Sequence, residues 1–192
     1  MTDKTLEALH ARLGIPPDYA ARCSLPLQQE CRALVPTEPD VFGRQPYLLR
    51  EAQEAWAGMR EAAASEGVVL QLVSAFRSVE YQAGLFERKL GRGERIADIL
   101  AVNAAPGYSE HHSGRAIDLG TPGFAHLEEE FEHSPAFAWL CANAAAHGFR
   151  LSFPRGNPHG VLYEPWHWYY AGAVETGPDT EEKTAREGAG RA

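Results

Sequence analysis

Two short stretches of the chain gather residues able to hold a metal ion and move a proton. The first is Ser109-Glu110-His111-His112-Ser113-Gly114-Arg115-Ala116-Ile117-Asp118, a loop histidine pair followed by an aspartate in an apolar, strand-like run. A loop imidazole and a strand carboxylate at the spacing of His111 and Asp118 can reach one ion. The second is Glu164-Pro165-Trp166-His167-Trp168, with a glutamate three residues before a histidine at the mouth of another strand. Two imidazoles and one carboxylate form the ligand set of an open catalytic zinc site. A further carboxylate that is not a ligand is what metal-assisted hydrolysis needs to shuttle a proton. Composition alone leaves a second reading standing, in which the histidines serve packing or surface roles.

A third stretch competes for attention. His126-Leu127-Glu128-Glu129-Glu130-Phe131-Glu132-His133 holds two histidines and four glutamates. On a helix the two histidines would lie about two turns apart, too far to share an ion. It reads as an acidic, solvated face. No HExxH spacing occurs anywhere. His10, His147 and His159 stand alone and read as structural or surface residues.

The elements that must position these groups follow from periodicity and turn chemistry. A short helix is expected around Leu6–Leu13, then a Pro-punctuated stretch to Gly43 without long regular elements. Leu48, Ala52, Ala55, Trp56, Met59 and Ala63 recur at helical spacing, predicting a helix over 47–65. The run 68–73 is short, β-branched and apolar, a buried strand. Helices follow over 79–90 and 94–103, then a loop over 106–113 and a strand over 114–119. A helix over 135–147 closes at Gly148, and strands over 149–153 and 166–170 flank the loop PRGNPHGVLYEP. Strands interspersed irregularly with helices predict an α+β fold with a small antiparallel β-sheet flanked by helices. Residues 1–44 read as an N-terminal accessory segment and 173–192 as a polar, mobile tail.

Composition bounds the function classes. Apolar residues make up 44% and charged residues 23% of the 192 positions. That is ordinary for a soluble globular protein, and the length suits one domain or one domain with an appendage. Lys and Arg number 18 against 26 Asp and Glu, for a net charge of −8. Such a balance argues against a nucleic-acid partner. No apolar run is long enough for a membrane span, and the polar start MTDKTLEALHARLG does not read as a signal peptide. The expected compartment is therefore cytoplasmic, or periplasmic if a leader has been removed. Cys23, Cys31 and Cys141 are too few and scattered for a thiolate metal site. Cys23 and Cys31 could pair only if the intervening residues bend back, and reduced thiols are the favoured reading.

The ordered motifs SAFRSVEYQ (74–82), SEHHSGRAIDLG (109–120) and YEPWHWYY (163–170) carry a resemblance. Together they resemble the VanY-type zinc D-Ala-D-Ala carboxypeptidases, of the superfamily shared with lysostaphin and the hedgehog signalling domain. That family's S-x-H-x-x-G-x-A-x-D, E-x-W-H and upstream R-S-x-x-x-Q patterns are filled at every position. The resemblance spans residues 45–172, the expected zinc peptidase domain.

It implies that His111, Asp118 and His167 hold one Zn2+ per chain in a cleft on the sheet. It implies Glu164 as general base and Arg77 as the arginine facing the scissile carbonyl. Ser109 and Gln82 correspond to positions that hold the substrate's terminal residue, while His112 falls at a variable position and reads as an exposed or outer imidazole. Trp166 is expected to pack beneath the site. The implied activity is removal of terminal D-Ala from peptidoglycan peptides. Three alternatives remain: an L,D-carboxypeptidase acting on cell-wall tetrapeptides, a lysin-type endopeptidase, and a non-catalytic zinc-stabilised binding module. Intact Glu164 and Arg77 argue against the last.

Overall fold

The computed structural model describes residues 3–172, so the tail expected over 173–192 lies outside the described residues. A four-stranded antiparallel sheet organises the molecule. Its strands are β3 (Gln71–Ser74), β4 (Ala116–Gly120), β5 (Phe149–Leu151) and β6 (His167–Tyr170), in the order β3-β4-β6-β5. A separate hairpin pairs β1 (Leu34–Pro36) with β2 (Tyr47–Leu49). The helices are α1 (Asp3–Leu13), α2 (Tyr19–Arg22), α3 (Arg50–Ser65), α4 (Val79–Gly91), α5 (Ile96–Val102) and α6 (Pro135–Asn143). This is the α+β arrangement with a small antiparallel sheet that the pattern of elements predicts.

Alternation along β4 sends successive side chains to opposite faces. Ile117 and Leu119 take one face, with Trp168 of β6 opposite Ile117, and pack with Trp56 and Met59 of α3 and Trp139 and Leu140 of α6. Asp118, between them, points the other way. A second core joins Leu6 and Leu13 of α1 to Val79, Ala83 and Phe86 of α4 and Ile99 of α5.

Some boundaries move for identifiable reasons. Helix α3 starts at Arg50, because Tyr47–Leu49 pairs with β1 before the helix begins. The strand expected over 68–73 lies at Gln71–Ser74, where it finds β4 as partner. Helix α6 ends at Asn143 and tightens into a 3₁₀ turn, Ala144–His147, which Gly148 closes at φ 77°. All three cysteines are free thiols.

Residues 3–33 brace the back of the loop that carries His111. The Gln28 amide donates to the Gly107 carbonyl at 2.8 Å, and the Cys31 amide to the His112 carbonyl at 2.8 Å. The Glu30 carboxylate accepts from the Val79 amide at 2.6 Å, at the start of α4. Leu6, Leu13, Ile15 and Leu25 are all buried in the second core.

Candidate active site

The register of β4 against β6 sets Asp118 directly beside His167. His111 arrives from a 3₁₀ turn, Glu110–Ser113, that ends at Gly114 with φ 69°. A side chain at Gly114 would also come within 2.9 Å of Leu34 Cδ2 and 3.0 Å of the Leu49 amide nitrogen, so only glycine closes this turn. The result is that one ligand atom from each of His111, Asp118 and His167 lies within 4.8 Å of the others, with all three residues buried.

The hydrogen bonds fix which atoms face inward. His111 Nδ1 lies 2.6 Å from the Ala75 carbonyl oxygen, which can only accept. Nδ1 therefore carries the proton. Nε2 turns a lone pair toward Asp118 at 3.2 Å. His167 Nε2 lies 2.9 Å from Glu110 Oε2, and its Nδ1 lies 3.0 Å from Asp118 Oδ1. With Nε2–H donated to Glu110, Nδ1 is the nitrogen on which a cation could replace the proton shared with Asp118. Two ring nitrogens and a carboxylate thus converge, an arrangement that calls for positive charge among them.

The titration behaviour expresses the same demand. Burial would push His167 down, but its hydrogen bonds to Asp118 and Glu110 outweigh this and raise it to about 10. Burial lowers His111 to about 4, helped by the nearby Arg77 guanidinium. Burial would raise Asp118, yet the two imidazoles hold it well below the usual carboxylate range. The donor set, two neutral-capable imidazoles and one permanently ionised carboxylate, suits a divalent cation of the zinc type.

Glu110 is the residue that sequence reasoning missed. Burial alone would raise its carboxyl, but bonds to His167 and Ser152 and the charge of Arg150 bring it to about 2. Arg150 lies 3.3 Å from its other oxygen. A carboxylate that accepts the outer N–H of a ligand histidine orients the ring and raises its basicity. The available signal was a third carboxylate beside the histidine pair, but its partner His167 lies far along the chain.

A cavity of about 430 Å³ opens onto this cluster, lined by Arg77, Gln82, Ser109, Glu164 and Trp166 among others. Glu164 Oε2 stands 3.9 Å from His167 Nδ1. Burial raises its carboxyl to about 7, with the Asp118 carboxylate adding to the shift and His167 and Arg77 opposing it. Such a group can both take and return a proton near neutral pH. Arg77 follows β3, and its buried Nε has no hydrogen-bond partner among the described residues. Gln82 donates to the Ala104 carbonyl at 3.0 Å, and its buried Oε1 is likewise without a partner among them. Trp166 borders the cavity and also packs against the first core.

The other histidines lie away from the cluster. His112, expected to be an exposed or outer imidazole, is fully buried and bridges backbone groups, because the turn that delivers His111 turns its neighbour inward as well. His10 bonds the Pro106 carbonyl, and His159 meets Ser24. Of the acidic stretch, Glu129 and Glu132 pair with Arg155 on the surface.

A family model described as VanY, D-alanyl-D-alanine carboxypeptidase, matches residues 45–173. A Bacillus subtilis (strain 168) protein bearing a carboxypeptidase name, YodJ, is 36% identical over 132 residues, covering 66% of this chain and 47% of that protein. The chain thus spans about half the length of that relative. Among solved structures, the LdcB LD-carboxypeptidase superposes with a TM-score of 0.67 at 33% identity, covering 77% of this chain and 72% of that one. The vancomycin-resistance D,D-pentapeptidase VanY, solved as a variant with Zn(II), gives a TM-score of 0.59 at 26% identity over 77% of this chain and 83% of that one. No helix among the described residues is long and apolar enough to cross a membrane.

Proposed function

Because the chain belongs to the VanY family of D-alanyl-D-alanine carboxypeptidases, we propose that it is a zinc carboxypeptidase releasing terminal D-alanine from peptidoglycan peptides. The observation that carries this reading is the convergence of His111, Asp118 and His167 in one buried cluster beside the raised carboxyl of Glu164. His111, Asp118 and His167 would hold one zinc ion, whose chemistry there is polarisation of the scissile carbonyl and acidification of water.

The chain's own groups do the rest. Glu164, titrating near 7, takes a proton from the attacking water and returns it to the leaving amine. Arg77 keeps its charge throughout, and its unpartnered Nε–H is a donor for the oxygen that gains charge in the transition state. The Ser109 hydroxyl is a donor for the substrate's terminal carboxylate. Gln82 already spends a donor on Ala104, so its Oε1 suits a substrate N–H. Lys89 borders the same cavity two turns along α4 from Gln82 and supplies a cation for a carboxylate.

Incubating the zinc-loaded protein with muramyl pentapeptide and tetrapeptide side by side, with products resolved by mass, tests the proposal. Loss of one D-alanine from the pentapeptide alone is expected. The second reading, an L,D-carboxypeptidase, is favoured by the similarity to the LdcB structure, and it expects cleavage of the tetrapeptide instead.

A further inference from the structure

His112 is buried, contributes no atom to the metal cluster and lies beside a ligand in sequence. Its ring nevertheless makes two hydrogen bonds of defined sense. Nδ1 lies 2.6 Å from the Arg77 carbonyl oxygen. A carbonyl can only accept, so Nδ1 must be the protonated nitrogen. Nε2 accepts from the Gly107 amide at 3.1 Å. One neutral tautomer satisfies both, and the ring cannot turn over without breaking both.

The Arg77 main chain has few other anchors. Its amide donates to the His111 carbonyl at 3.3 Å. That is a long bond for an amide donor. Two residues earlier, the Ala75 carbonyl accepts from His111 Nδ1 at 2.6 Å. The segment 75–77 is therefore laced to the 3₁₀ turn by two consecutive histidines. His111 holds Ala75 and can bind metal at the same time. His112 holds the Arg77 carbonyl, and Gly107 holds His112.

We propose that His112 is a positioning residue that sets the Arg77 guanidinium relative to the metal cluster. The inference rests on the carboxypeptidase reading of Arg77. Without the imidazole, the Arg77 carbonyl loses its short bond and its backbone is tied by the longer one alone. The ligand histidine keeps its bond to Ala75, so metal binding persists. A misplacement of about 1 Å in a charge-stabilising group costs about 10²-fold in rate.

The test is a double-mutant cycle on the zinc-loaded enzyme, following D-alanine release, zinc content and thermal unfolding. His112→Ala should lower kcat by about 10- to 100-fold, with zinc content retained and KM within about twofold of wild type. In an Arg77→Ala background, His112→Ala should change kcat no further, because the group it positions is gone. His112→Asn can put an N–H where Nδ1 stands and should recover most of kcat, whereas His112→Gln reaches the Nε2 position and should not. The Asn and Gln variants keep a polar group in the buried slot, so their contrast carries the test even if the alanine variant folds poorly. Equal losses from His112→Ala in both backgrounds, or equal activity of the Asn and Gln variants, would overturn the proposal while leaving the carboxypeptidase reading intact. An Arg77→Ala enzyme with unchanged kcat would instead overturn the role given to Arg77 itself.

Discussion

Glu110 and Glu164 are both acidic residues near the same histidine, and the structure gives them different surroundings. Glu110 accepts the outer Nε2–H of His167 at 2.9 Å, while Glu164 stands 3.9 Å from the inner Nδ1 and borders the cavity. Glu110→Gln should therefore weaken zinc affinity by about 10- to 100-fold, read by competition with a chelator. Unchanged affinity would show that the Glu110 bond does not support the ligand. Glu164→Ala should keep zinc and fold but lose turnover by about 10²-fold or more. Loss of metal with full activity per bound zinc would instead make Glu164 a ligand. Spacing draws attention to the pair His111 and His112 and to Asp118, His167 and Glu164, because each lies within a short motif, and the family resemblance picks His111 from the pair. Glu110 gives only a carboxylate beside the histidine pair as a sign in the sequence, since its partner is 57 residues away and the fold brings them together. The surroundings of His112 are hidden for a related reason: adjacency to a ligand says nothing about which backbone a buried ring will meet.

At the scale of elements, the longer helices and the strands of the four-stranded sheet are legible in the sequence, whereas the hairpin of β1 and β2 is not. The apolar stripes of α3 and α4 are local signals, and both helices form, although α3 starts only at Arg50 and α6 already ends at Asn143. Strand β2 is only Tyr47–Leu49, and its Leu48 fits a helical stripe equally well, so pairing with β1 decides the matter. Tertiary contacts likewise give Gly114 its meaning. Gly114→Ala forces a side chain into a positive-φ position against Leu34 and Leu49. The backbone strain alone costs roughly 1–3 kcal/mol, before the clash is counted. A lower Tm and weaker zinc binding should follow, and a variant indistinguishable from wild type in both would contradict this account of the turn. The loop at Asp40 predicts a pH dependence. Burial would raise this carboxyl, but hydrogen bonds from the Arg44 amide and side chain and the Phe42 amide pull it below its ordinary value. A depressed folded pKa stabilises above the unfolded value of about 3.9 and loses that contribution as pH falls through the folded one. Asp40→Asn should accordingly lower Tm at neutral pH, with the difference from wild type shrinking below about pH 4. A pH-independent difference would assign the loss to geometry rather than charge.

For the whole molecule, the family match begins at residue 45, yet the second core does not. Leu6, Leu13, Ile15 and Leu25 are buried with α4 and α5. Burying each such side chain is worth roughly 1.5–3 kcal/mol. The net stability of a whole domain is only roughly 5–15 kcal/mol, so four of them decide whether it folds. Deleting residues 1–33 also removes the Glu30 bond at the start of α4 and the Cys31 bond behind His112. The shortened chain should show no cooperative thermal transition and bind zinc weakly; an unchanged Tm would mean that the second core is dispensable. The helix of Leu6 and Leu13 is legible, but the Pro-rich stretch after it gives no sign of this, because its contribution consists of Ile15, Leu25 and main-chain bonds. On the proposed function, the cavity serves an exopeptidase that reads a free terminal carboxylate, with Ser109 and Lys89 as donors. The most direct test compares kcat/KM of the zinc-loaded protein on one peptide ending in D-Ala-D-Ala as the free acid and as the C-terminal amide, measured by D-alanine or D-alaninamide release. Charge-assisted bonds of this kind are worth about 1.5–3 kcal/mol, so the amide should be slower by roughly one to two orders of magnitude. Equal hydrolysis of the acid and the amide would contradict the carboxypeptidase account.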